Sequence, residues 1–153
     1  MPKLTNNERS PFTDVIKLSA TDLIAIGNGG TKVIATIPAG GAVELVALTN
    51  TVDIVGSSSL VVDVGTTIAD PDEFINALDV DAATVGLPTI NTGDAFTAGT
   101  GTSATGLSQA VKIVSAATPV YIKVTDAAVA SITAGEIVIG LRVLDLTGLG
   151  SNA

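Results

Sequence analysis

Between Glu136 and Val143 two kinds of residue alternate. Ile137, Ile139, Leu141 and Val143 share one parity, while Glu136, Gly140 and Arg142 occupy the other. Successive side chains on a β-strand point to opposite faces, so a period of two describes a strand with one buried face. A helix would need a period near 3.6. The reading is a half-buried antiparallel strand at the centre of a sheet. The same alternation recurs upstream. Val33, Ala35 and Ile37 alternate with Lys32 and Thr36, and Leu60, Val62 and Val64 oppose Asp63. Val120, Ile122 and Val124 alternate with Tyr121, Lys123 and Thr125, and Val111 and Ile113 flank Lys112. Ala42 to Ile54 is a longer β-prone run, and Val15–Leu18 and Leu23–Ile26 are two short apolar runs.

Turn residues punctuate these runs. Gly27-Asn28-Gly29-Gly30, Pro38-Ala39-Gly40-Gly41 and Ser57-Ser58-Ser59 each separate β-prone segments, and their residue types are those that tolerate positive φ or bond locally to the backbone. Asp70-Pro71-Asp72-Glu73 reads as a helix start, with Asp70 as N-cap, Pro71 at the first helical position and Glu73 closing a capping box. Phe74, Ile75, Ala77 and Leu78 would supply the apolar side of a short helix near 71–78. Many short strands and one small helix predict an all-β fold, an antiparallel β-sandwich or a jelly-roll-like barrel. Residues 1–12 read as an N-terminal arm, 13–147 as a single β-rich domain and 148–153 as a loose tail. Residues 82–110 are poor in charge, with a Gly/Thr-rich loop at 99–106.

Composition narrows the chemistry. The chain has 153 residues with no His, Cys or Trp. Ser-His-Asp and Cys-His catalysis, Cys/His zinc sites and disulfides are therefore excluded. The chain is 46% hydrophobic but 3% aromatic, so its core must be built from Val, Ile, Leu and Ala. Such a core forgoes the large area each aromatic ring buries, which leaves part of the burial to other copies or a partner surface. The net charge is −8 and the basic residues are scattered, which argues against nucleic-acid binding. No run of about 18 apolar residues and no signal-peptide pattern occurs, so neither a membrane partner nor export by its own signal is expected.

Each candidate site has a plainer reading. Asp70, Asp72 and Glu73 could hold a cation, but helix capping accounts for them. Asp79-Val80-Asp81 opens like a calcium loop and then fails, with Ala83 and Thr84 where an oxygen ligand and a sharp-turn Gly belong. A carboxylate pair for glycoside hydrolysis lacks the aromatic platform that sugars stack on. The glycines at 27–30 and 99–106 are not followed by Lys-Ser or Lys-Thr, so they make turns and not a phosphate cradle. Tyr121 and Phe96 are either interface anchors or core. In the arm, Lys3, Leu4, Arg9 and Phe12 combine charge with apolar grip. They either dock on an acidic partner surface or belong to a solvated terminus.

Ile37-Pro38-Ala39-Gly40-Gly41-Ala42-Val43, then Ser58-Ser59-Leu60-Val61-Val62-Asp63-Val64-Gly65, then Asp70-Pro71-Asp72-Glu73-Phe74-Ile75-Asn76-Ala77, resemble in order the head-decoration (capsid cement) proteins of tailed bacteriophages. Ile132-Thr133-Ala134-Gly135-Glu136-Ile137 is similar to their closing hairpin. Gly41 stands as an insertion before Ala42 relative to that pattern. The resemblance implies a non-enzymatic virion protein without cofactors. It would bind the outside of the capsid, with the major capsid protein and its own copies as partners, a homotrimer by preference or a homodimer. Synthesis in the bacterial host cytoplasm is implied as well. The alternative in the same setting is a receptor-binding or fibre module of a phage tail or head vertex.

Overall fold

A computed structural model describes residues 11–97 and 112–147. The alternating segments form strands: β1 (Asp14–Ser19), then after the helix α1 (Ala20–Ile26), β2 (Gly30–Ile37), β3 (Gly41–Val55), β4 (Val61–Gly65), β5 (Ile75–Asp79) and β6 (Thr89–Ile90). The one-turn helix α2 (Asp94–Thr97) is followed by β7 (Lys112–Ile113), β8 (Thr118–Thr125), a 3-10 turn at Val129–Ser131 and β9 (Ala134–Asp145). One sheet runs β1-β9-β3-β6, with β7 also on β3, and the other runs β2-β8-β4-β5. Every pairing is antiparallel. The sandwich alternative of the sequence reading is the observed one, and the strand over 137–143 does lie centrally, between β1 and β3.

The core sits between the two sheets because each strand commits one parity to it. Ile137, Ile139 and Leu141 of β9 and Val46 and Leu48 of β3 face Val62 and Val64 of β4 and Val120, Ile122 and Val124 of β8 in one buried cluster. Each such side chain contributes about 1.5–3 kcal/mol by leaving water. A one-residue slip in any strand would put this set outside. Phe74, fully buried, fills the largest position, with Phe96 tilted against it at a ring-centroid distance of 5.8 Å. The turns are as the glycines indicated. The Gly41 amide donates to the Pro38 carbonyl at 2.9 Å with Gly40 at φ 75°, a conformation that a residue with a Cβ resists.

The expected helix near 71–78 is not there. Residues 75–79 are β5, paired with β4 through Val61↔Asp79, Val62↔Leu78 and Val64↔Ile75. Glu73, read as a capping-box acid, instead takes four donors from the preceding bend. These are the amide and hydroxyl of Thr66, at 2.7 and 2.9 Å, and those of Thr67, at 3.4 and 2.7 Å. Asp70 caps nothing and lies 3.9 Å from the Lys123 ammonium. The physical reason is competition for backbone bonds. A helix of two turns is a costly nucleus, whereas the Phe74 amide reaches the Val64 carbonyl at 2.8 Å and β5 then continues a sheet already formed. β5 carries a bulge in which Asn76 and Ala77 together oppose the single Asp63; Ala77 adopts φ 48° and its amide donates to Asp63 Oδ1 at 2.6 Å.

The helix appears instead at Ala20–Ile26, where only an apolar run was noted. Ser19 Oγ accepts from the Asp22 amide, and Asp22 Oδ2 accepts from the Ser19 amide at 2.9 Å, a reciprocal capping box. Leu23 is fully buried and anchors this turn over the edge of the core.

Candidate interaction surface

The outer face of the β1-β9-β3-β6 sheet carries an apolar row that crosses all four strands in register. Val15 pairs with Gly140, Gly140 with Ala47, and Ala47 with Ile90. These positions alternate with the buried Ile139, Leu141, Val46 and Leu48, so they point away from the core. The two central members are the smallest, while Val15 and Ile90 at the ends are 59% and 50% exposed. The row is thus low in the middle and raised at its sides. Phe12 lies across Gly140 so closely that a Cβ there would meet its ring at 2.6 Å. Only glycine fits beneath that ring. Beside it, Thr49, Pro88 and Val138 complete a groove of about 270 Å³ whose lining is almost wholly apolar.

Charges bound this groove at both ends of β9. Lys17 Nζ lies 3.3 Å from Glu136 Oε1, which also accepts from Thr51 Oγ1 at 2.6 Å. The Thr51 bond, and then Lys17, hold the Glu136 carboxyl below its ordinary pKa. At the other end Arg142 pairs with Glu44. Two cations and two anions therefore frame an uncharged centre.

Of the residues proposed for partner contact, Lys3, Leu4 and Arg9 lie outside the described residues. Phe12 is placed in the groove, half-buried. Tyr121 lies partly exposed on the opposite sheet, and Phe96 packs on the core. Sequence reasoning missed Val15, Ala47, Ile90 and Val138. One signal was present: Val46-Ala47-Leu48 is apolar at three consecutive positions, which breaks the alternation and marks a strand apolar on both faces.

The carboxylates have structural tasks. Asp126, buried, accepts from Ser58 Oγ at 2.6 Å, the Ser58 amide at 3.1 Å and the Ala128 amide at 2.8 Å. Its own amide donates to Asn28 Oδ1 at 3.0 Å, so it ties three loops together. Burial pushes its pKa up, but the Ser58 hydroxyl and the Ala128 and Ser58 amides outweigh that and lower it. Glu73 is balanced in the same way: burial raises it, and the bonds from Thr67 and Thr66 bring it below its usual value. Asp72 goes the other way, raised by burial and by the neighbouring charges of Asp70, Asp94 and Glu73. Asp79 Oδ1 accepts from the Asp81 and Ala82 amides at 3.1 and 3.2 Å, which makes the failed calcium loop an ordinary Asx turn. Among the described residues no cluster of three or more His, Cys, Asp or Glu side chains is arranged to hold a metal ion. Among them, too, no helix is long and apolar enough to cross a membrane.

No protein-family model and no curated protein matches the sequence. Among solved structures, a chain of the cyanophage Pam1 capsid asymmetric unit superposes with a TM-score of 0.51 at 16% sequence identity, covering 83% of this chain and 77% of that one. The fold is similar to that chain's. A chain of the acidic stable capsid structure of Helicobacter pylori bacteriophage KHP30 aligns over 86% of this chain and 85% of that one, at 16% identity and a TM-score of 0.37. That second superposition is too loose to carry a fold argument.

Proposed function

We propose that this chain is a non-enzymatic structural protein of a phage virion, binding the outer surface of the capsid as a decoration or cement protein. The observation that carries the reading is the superposition on the Pam1 capsid chain. It covers most of both chains, so the match is between two units of similar size and not between this chain and a small part of a larger one. The apolar groove agrees, since a structural subunit needs a face to bury and no reacting groups. A protein that binds the assembled shell and not its loose subunits stabilises the shell by mass action. Its major capsid partner and self-association, as trimer or dimer, belong to the same proposal. So do the exterior location and synthesis in the host cytoplasm.

Cosedimentation of the purified chain with phage shells assembled without it tests the reading. Saturable binding that raises the temperature of shell disruption is expected; no binding would sink it. A variant lacking residues 2–10, which keeps Phe12, is expected to lose occupancy at least tenfold, because Lys3, Leu4 and Arg9 are the proposed grip. Unchanged occupancy would remove the arm from the proposal while leaving the body's docking in place.

A further inference from the structure

We infer that the outer face of the β1-β9-β3-β6 sheet is a two-fold interface on which a second copy of this chain stacks. β9 carries the argument. Its outward series reads Glu136, Val138, Gly140, Arg142, an anion and a cation separated by an uncharged centre. Place a two-fold axis between two such faces, perpendicular to β9. The two β9 strands then run antiparallel across the interface, and Glu136 of each copy faces Arg142 of the other. The same operation lays the apolar groove on its twin. This is the self-complementarity that an isologous contact requires.

The charge pattern, an anion at one end of β9 and a cation at the other, fits a second copy of itself. The chain as a whole carries −8, so two copies repel through most approaches. The charges around the groove, Lys17 and Arg142 against Glu136 and Glu44, sum to zero. Apposition here therefore escapes that repulsion. Gly140 is covered by the Phe12 ring, so what a second copy would meet at the centre is that ring, flanked by the exposed Val15 and Ile90.

Size sets the strength. The face extends about 20 Å along β9 and about 15 Å across four strands, an outline of about 300 Å² that side chains corrugate. This lies below the roughly 800 Å² per partner of a standard interface, so the dimer is a weak one that forms reversibly with concentration.

Sedimentation velocity of the full chain from 1 to 200 µM (about the range over which weak dimers form) reads the outcome. A monomer–dimer equilibrium is expected. Glu136→Arg and Arg142→Glu each place like charges across the axis and are expected to weaken it at least tenfold. The double variant exchanges the two charges and is expected to restore it to within about threefold, although the contacts to Lys17 and Glu44 within each copy stay broken. That separates a bond between copies from a loss of fold stability, which thermal unfolding of each variant reads independently. A monomer throughout the range, a trimer, or a double variant no better than the singles would overturn the inference. A monomer that still binds shells would overturn it and leave the capsid proposal standing.

Discussion

The two sheets bury equivalent inner faces and present different outer ones. Across β2-β8-β4 one outward row is Thr31, Lys123 and Asp63, with Lys123 also near Asp70 and Asp63 bonded to the β5 bulge, and the next is Val33, Tyr121 and Gly65. Across β1-β9-β3-β6 the outward row is Val15, Gly140, Ala47 and Ile90. A sheet face left to water needs polar groups; one that is covered in an assembly does not. Both sheets satisfy the same core, so the difference between their outer faces is not required by folding and points to what lies outside the chain.

The largest test attacks what the sheets share. Phe74→Ala is expected to cost about 3–5 kcal/mol, and Ile122→Ala and Ile139→Ala, one from each sheet, about 2–5 kcal/mol each in urea unfolding. If either isoleucine cost under about 1 kcal/mol, the two inner faces would not be equivalent. Next comes the carboxylate clasp on the β4-β5 side. Glu73→Gln is expected to cost about 1–2 kcal/mol near neutral pH, kept modest by the partial solvation of the carboxylate. Its native pKa is lowered, so its contribution is present above the unfolded value of about 4.3 and is lost as pH falls through the native one. The stability gap between the parent chain and Glu73→Gln should therefore close on acidification. A gap as wide at low pH as at neutral pH would contradict the assigned role. Asp72 has a raised native pKa, so its protonation favours the fold as pH falls and partly offsets the losses at Glu73 and Asp126.

The smallest effect on stability sharpens the contrast most. Ile90→Ser should change unfolding by no more than about 0.5 kcal/mol, as usual for exposed positions. It should nevertheless reduce the binding of an apolar dye to the folded chain, while Lys123→Ser on the other face leaves dye binding unchanged. Equal responses from both faces would erase the distinction between them.

Most of the strands were legible because alternation is a local code: Ile137, Ile139 and Leu141 announce their own buried face. One helix expected near 71–78 is a strand, and one that was not expected forms at Ala20–Ile26, both through one kind of evidence. Asp70-Pro71-Asp72-Glu73 and Ser19-Ala20-Thr21-Asp22 both offer capping chemistry, but local spacing could not show that Thr66 and Thr67 would claim Glu73, or that β4 would claim residues 75–79. Among the described residues Asp22 keeps its bonds to Ser19, and the Ser-x-x-Asp spacing is a local signal for that helix start. The groove was hidden for another reason. Val15, Ala47, Ile90 and Gly140 are far apart along the chain and ordinary singly; only strand order brings them into one row. Lys3, Leu4, Arg9 and Phe12 stand out by residue type, a criterion that reaches Phe12 in the groove but not the small apolar residues around it.

The position of β9 also has a consequence for how the chain acquires its shape during synthesis. β1 and β3 emerge early, yet neither pairs with the other; both pair with β9, and β1 joins it through contacts such as Asp14↔Leu141. The sheet that carries the groove thus cannot close until its central strand, made after nearly everything else in the domain, has left the ribosome. Until then β1 and the edge of β3 opposite β6 and β7 lack their β9 partner, and closing so distant a contact is slow. Translation itself therefore sets when the groove appears: last, once the chain is complete through β9.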